Sequence, residues 1–354
     1  MKIVKKILTV LFSVSFCLFC LFFSAQVKSA VGEGINRCIT IIIPSLYAMM
    51  AASAILLKSG VLSTVGRCIS PVTRRIFGLD GECGAVFLFS LVSGYPVGAK
   101  MIYSMYTEGR LSKRTAEIMS GLCFGSGAAF IFGCAASTAE IGGLILISNL
   151  AAELIMAVAL SIYFRKNPIA EKTRNTAVSA DILTNSVASS GRALGDMCLC
   201  VVIFAVFAKM AEYCGLSALF KGDLYKAVLD ITAISEISAD IPTTAALVSF
   251  GGVCVFFQIS AIFRGKLSIL PLVIMRICAA ALTYLICRVL QPFFISGAVG
   301  VFASGERLYR EASPVPSVML IIMTGVVIAE TAKIRKKMPA ELSQALLKNK
   351  NISF

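Results

Sequence analysis

Runs of about 20 apolar residues recur along this chain, the length a helix needs to cross the hydrocarbon core of a bilayer. They cover residues 7–25, 38–57, 85–105, 117–139, 144–164, 193–214, 243–263, 268–290 and 317–333. With 58% of its 354 residues apolar, the chain reads as an all-α polytopic membrane protein. Arg165 to Asp181 is the most polar interior stretch and reads as a linker between halves.

One run does not read as a simple crossing. Ala85 to Met105 contains Ser93-Gly94-Tyr95-Pro96-Val97-Gly98-Ala99-Lys100. Pro96 removes a backbone donor and clashes with the preceding turn. Gly94 and Gly98 allow backbone angles that other residues resist. Broken backbone survives in a membrane only where protein or a water-filled cavity satisfies it. The stretch therefore reads as a re-entrant hairpin with a polar tip. Leu224 to Asp240 is interrupted at Leu229-Asp230-Ile231-Thr232-Ala233-Ile234-Ser235-Glu236 and reads as a second one.

Taken in order, the expectation is an N-terminal anchor helix over 1–36, a first repeat over 37–164, an inner linker over 165–192, a second repeat over 193–290, and an outer loop, last helix and basic tail over 291–354. The first apolar run is long for a signal-peptide core and reads as a retained anchor. Pro44-Ser45 marks a kink, 58–80 a basic loop, and Gly142-Gly143 a tight turn. Phe124-Gly125-Ser126-Gly127, inside the 117–139 run, reads as a small-residue surface that lets another backbone approach.

Charge supports this layout through the positive-inside rule. With Met1 inside and each broken segment entering and leaving on one side, most basic residues collect inside. These include Lys2, Lys5 and Lys6, then Lys58, Arg67, Arg74 and Arg75, then Arg110, Lys113 and Arg114, with Arg264, Lys266 and the C-terminal cluster. Lys28, Arg37, Lys221, Arg307 and Arg310 fall outside. Each half then reads span, hairpin, span, span, and the two hairpins enter from opposite faces. Arg37 and Gly60 recur at the same offset as Arg192 and Gly215, and Phe124 and Phe250 each open a Phe-Gly element. The whole amounts to about eight crossings plus two re-entrant hairpins in an inverted repeat, a plan shared by many secondary transporters.

Topology accounts for the net charge of +14, and no basic patch with interleaved aromatics points to nucleic acid. The chain has no histidine, which excludes H-E-x-x-H zinc chemistry and Ser-His-Asp or Cys-His arrangements. Its 13 cysteines lie mostly in apolar runs, and Cys17 and Cys20 have no histidine or acidic neighbour, so they read as packing. No Walker A motif and no nucleophile–base pair is legible. Neither enzymatic activity nor a cofactor or metal is expected.

The octapeptide Ser93–Lys100, followed by Gly109-Arg110-Leu111-Ser112, resembles the sporulation integral membrane protein YlbJ (SpoVV) family. Ile43-Pro44-Ser45-Leu46 and Phe250-Gly251-Gly252-Val253-Cys254-Val255-Phe256-Phe257-Gln258 are similar to the same family, so the resemblance covers about Arg37 to Leu290. It implies a nucleoside-recognition Gate domain, similar to the core of concentrative nucleoside transporters. It also implies transport of dipicolinic acid across the mother-cell-derived outer forespore membrane. The chain departs from the family in two places. Leu229-Asp230-Ile231-Thr232-Ala233-Ile234 lacks the glycine of the family's L-E-I-T-x-G pattern, and Gly127-Ala128 stands where Gly-Pro is expected.

The expected solute site gathers Ser93, Gly94, Tyr95, Pro96, Gly98, Lys100, Ser126, Gly127, Thr232, Ser235, Gly251, Gly252 and Gln258. Lys100 reads either as a contact to an anion or as a lysine snorkelling to the inner interface. Asp230 and Glu236 either couple a proton or sodium ion or line a wet outer vestibule. Ser126 and Gln258 either bond the solute or join helices. Arg276 lies mid-span, where Glu153 is a candidate partner. The expected partners are the bilayer, a small anionic solute and the coupling ion, with room for a homo-oligomer. A nucleoside carrier and a non-transporting scaffold of a sporulation complex are the alternatives.

Overall fold

The computed structural model describes residues 2–166, 180–215 and 223–294, and every regular element among them is helical. Helix α1 (Lys2–Phe22) turns at Phe23 into α2 (Ser24–Arg37). That helix runs through a π turn (Cys38–Ile42) into α3 (Ile43–Lys58), making one 35-residue segment. Phe12 and Phe16 pack on Phe207, while Phe19 and Phe23 pack on Tyr213. Helix α1 therefore runs in the same direction as α10 (Ala180–Tyr213). Gly34 lies against Val202 and Ala205, Cys38 Sγ meets Cys198 O at 3.5 Å, and Ser190 Oγ donates to Met50 O at 3.0 Å. The long α2–α3 segment is thus antiparallel to α10.

Residues 58–80 are not the expected loop but helix α4 (Val61–Phe77), which meets α5 (Gly81–Ser93) at 82°. The helix has three faces at helical spacing. Leu62, Gly66, Thr73 and Phe77 are buried against the protein. Val65, Val72 and Ile76 form an exposed apolar stripe, and Arg67, Arg74 and Arg75 are exposed beside it. An apolar stripe flanked by arginines suits a membrane interface rather than a crossing.

Helices α5 and α6 (Tyr95–Thr107) meet at Gly94, whose φ of 97° and ψ of 156° fit no helix. Glycine takes such angles without a Cβ clash. The pair folds back on itself. Ser90 lies across the bend from Gly98, and Glu82 at the start of α5 forms an ion pair with Arg110, just past the end of α6.

The expected span over 117–139 is interrupted. Helix α7 (Lys113–Leu122) ends at Cys123, and the chain runs without helix to a short turn α8 (Ala128–Phe130) and a π turn (Ile131–Ala135). The small residues there admit a neighbouring backbone by leaving the helix, not by staying in it. Gly142 and Gly143 lie inside α9 (Ala139–Lys166) rather than in a turn; Gly142 makes room for the Phe132 ring.

After α10 come α11 (Leu224–Leu229), a 3₁₀ segment (Ile231–Glu236), α12 (Ile241–Phe250), α13 (Gly252–Phe263) and α14 (Leu270–Phe294). Glu153 pairs with Arg276 and Ser148 lies beside Cys287, so α9 and α14 are antiparallel.

Five segments are long and apolar enough to cross a membrane: Ser24–Lys58, Ala139–Lys166, Ile182–Tyr213, Ile241–Phe263 and Leu270–Phe294. The bent pair α4–α5 makes a sixth if counted as one span. The chain is a multi-pass integral membrane protein. In α1 the apolar stretch, Thr9–Phe22, is shorter than the other spans. The linker expected over 165–192 is shorter than that: α9 runs to Lys166 and α10 already begins at Ala180. Residues 167–179, Lys221, and the last helix and tail expected beyond 294 lie outside the described residues.

Candidate functional site

Four helix breaks meet in the middle of the protein, and each is held by particular side chains. At the first break, Cys123–Gly127 threads the crotch of the α5–α6 hairpin. A Cβ on Gly98 would fall on the Cys123 carbonyl, one on Gly125 would fall on Ser90 O, and one on Gly127 would lie 3.2 Å from Gly94. The stretch therefore needs glycine to run backbone against backbone.

Arg276 satisfies the carbonyls that this break exposes. It is fully buried. Its Nη2 donates to Gly121 O at 2.6 Å and Nη1 lies 3.5 Å from Phe124 O. The same guanidinium pairs with Glu153, Nη2 to Oε2 at 3.1 Å and Nη1 to Oε1, and sits 4.8 Å over the Phe124 ring. One cation thus neutralises a buried carboxylate and caps α7, whose last carbonyls have no helical partner. Ser126, Asn149 and Glu153 line a narrow crevice beside it.

The second broken segment approaches the same centre. Helix α11 stops at Asp230, which is buried and accepts from Thr232 N at 3.1 Å and Thr232 Oγ1 at 2.7 Å, capping the 3₁₀ segment. The α12–α13 break falls at Gly251 and Gly252, with φ of 83° and 82°. A Cβ on Gly252 would lie 2.9 Å from Ile231 N, and one on Gly251 would lie 2.7 Å from the Phe124 ring and 3.5 Å from Tyr95. Tyr95 Oη, at the tip of the first hairpin, donates to Val248 O near the end of α12 at 2.6 Å. The first hairpin and the second broken segment therefore meet across the Gly251–Gly252 break. Tyr95→Phe keeps the ring packing on Phe124 and Phe130 but leaves a buried carbonyl unpaired. We expect it to cost about 1–3 kcal/mol, read as a lowered midpoint in thermal denaturation of the purified protein.

Not every expected site residue joins this centre. Ser93, Gly94, Tyr95, Pro96, Gly127, Gly251 and Gly252 cluster there. Ser93 is buried, and its Oγ has no hydrogen-bond partner among the described residues. Gly98 faces the Cys123 carbonyl. Lys100 points elsewhere: its Nζ donates to Ser190 Oγ at 3.1 Å, between α6 and α10. Gln258 Nε2 contacts Cys254 Sγ one turn back at 3.4 Å. Ser235 lies on the 3₁₀ segment between Asp230 and Glu236.

Asp230 and Glu236 both face Arg37. The guanidinium grips Glu236 through Nε at 3.0 Å and Nη2 at 2.7 Å, and its Nη1 is 3.8 Å from Asp230. Arg37, counted in the sequence only as an outer basic residue, is the functional candidate that sequence reasoning missed. Its partner lies 199 residues along the chain. The only signal in the sequence was its shared offset with Arg192.

No family model matches this chain, and no solved structure matches it. A stretch of 137 residues is 29% identical to the sporulation integral membrane protein YlbJ of Bacillus subtilis (strain 168). The match covers 38% of this chain and 34% of that relative. The chain therefore bears a distant likeness to a sporulation integral membrane protein over about a third of each sequence.

Proposed function

We propose that this protein carries a small anionic solute across a membrane of a spore-forming cell, with dipicolinate as the solute. The observation that carries the reading is the meeting of the first hairpin and the second broken segment at the Gly251–Gly252 break. Unwound backbone within a bundle of crossing helices is costly unless satisfied. Here Arg276, Tyr95 and Asp230 supply the missing partners. Interrupted helices that converge near the midplane are where secondary transporters build solute sites. The likeness to a protein named for sporulation supports the cellular setting.

In this reading the moving parts are the two halves of an inverted repeat, which the order of elements supports. A long helix ends at Gly60, and α10 ends at Gly215, both at φ of 75°. Each is followed by a broken segment, a broken helix and a further long helix, α9 or α14. The α3–α10 and α9–α14 pairs run antiparallel, as halves of opposite orientation require. Rocking of one half against the other would expose the junction to each face in turn, with Asp230 and Glu236 available to a coupling proton or sodium ion.

The test is uptake into proteoliposomes of the full chain. Labelled dipicolinate is expected to enter protein-bearing vesicles faster than empty ones, and labelled uridine is not. Entry of uridine alone would favour the nucleoside alternative. That reading wants an aromatic platform, and the Tyr95 ring already packs against Phe124 and Phe130. Entry of neither would leave the scaffold role.

A further inference from the structure

Arg37 holds its present partner in the geometry that a solute carboxylate would need. Its side chain is 9% exposed and closes α2. Nε and Nη2 donate to the two oxygens of Glu236, a two-pronged pair that any carboxylate can make with a guanidinium. The two acids around it are held differently. Asp230 is 3% exposed and tied by the backbone and hydroxyl of Thr232. The Glu236 side chain is 42% exposed, and it sits at the last position of the 3₁₀ segment, before extended Ile237. Its hydrogen bonds among the described residues both come from Arg37.

Charge favours exchange at this position. Replacing the Glu236 carboxylate with one from a solute leaves the charge beside Arg37 unchanged, because Asp230 remains in place. Loss of the Glu236 contact without replacement would leave a mostly buried guanidinium with one distant partner. The helix is also irregular at this point: the π turn Cys38–Ile42 begins at the next residue, and such turns frequently lie at functional sites.

We propose that Arg37 is a carboxylate seat and that Glu236 is its resident occupant, displaced toward solvent when a carboxylate-bearing solute arrives. The proposal rests on the transport reading and adds to it the residue that anchors the solute's carboxylate, Arg37. Glu236 then lowers the apparent affinity by occupying the seat, as any competing state does.

Benzoate serves as a probe that need not be the transported solute. Full-length protein in proteoliposomes is treated with phenylglyoxal, which modifies arginine, and Arg37 modification is followed by mass spectrometry. In Glu236→Ala, benzoate is expected to protect Arg37 at about tenfold lower concentration than in the wild type, as if the seat were open only about a tenth of the time. Glu236→Gln, which keeps the side chain's size, is expected to shift protection in the same direction. Protection unchanged in both variants, with unaltered thermal midpoints, would overturn the seat. Dipicolinate flux is measured on the same vesicles. Enhanced protection without flux keeps the seat and removes the transport reading; flux with unchanged protection keeps transport and removes the seat.

Discussion

Replacing Arg276 by leucine is expected to lower stability by about 3–5 kcal/mol, the cost of stranding one member of a buried ion pair. The change leaves Glu153 buried without its cation and uncaps Gly121 O and Phe124 O together. Adding Glu153→Leu removes the stranded charge and is expected to recover part of the loss. Recovery stays incomplete because the two carbonyls remain unpaired, a double-mutant result that a simple ion pair would not give. Thermal denaturation in detergent reads all three variants. Full recovery in the double variant would mean that Arg276 serves only Glu153 and that the break at Cys123–Gly127 stands without it.

The second large effect is expected from Gly98→Ala. The new Cβ would fall on the Cys123 carbonyl and near the Ser90 side chain. Overpacking a core costs about 1–3 kcal/mol, and occasionally more. Here the obstacle is backbone, which cannot rotate away, so we expect the upper end of that range or beyond. The hairpin would open from its tip, and protease sensitivity should rise near Gly94. Gly143→Ala is the control: nothing lies within 4 Å of its Cβ position, so helix propensity alone should make it neutral or slightly stabilising.

These two residues mark what was legible in the sequence and what was not. The Gly94 break is visible because glycine takes non-helical angles and Pro96, two residues on, fits the first turn of a new helix rather than the interior of an old one. Arg276 could be paired with Glu153 because two opposite charges inside spans have few other ways to be satisfied. Its second duty, capping α7, was invisible because the break it serves was not recognised. In the sequence, Phe124-Gly125-Ser126-Gly127 reads as a small-residue surface for a neighbouring backbone, which glycines at such spacing also make. The positive φ of 72° at Gly127, its contact with Gly94 and the close approach of Gly125 to Ser90 O separate the two.

Helix α4 was hidden for a different reason. Its arginines interrupt the apolar count, and a three-faced helix at an interface carries the composition of a basic loop. Arg37 was hidden by distance along the chain: a lone basic residue near an outer helix end reads as solvated until Asp230 and Glu236 are folded against it. The pattern is physical. Backbone chemistry is local and leaves marks in short stretches, whereas the partner of a charge is set by the fold.

The most direct test of two broken hairpins entering from opposite faces uses single cysteines in a cysteine-depleted background. Arg75→Cys and Glu108→Cys flank the first hairpin, and Glu236→Cys sits on the second. A membrane-impermeant maleimide is expected to label positions 75 and 108 from the same face and position 236 from the other. Labelling of 75 and 108 from opposite faces, or of all three from one face, would contradict the account.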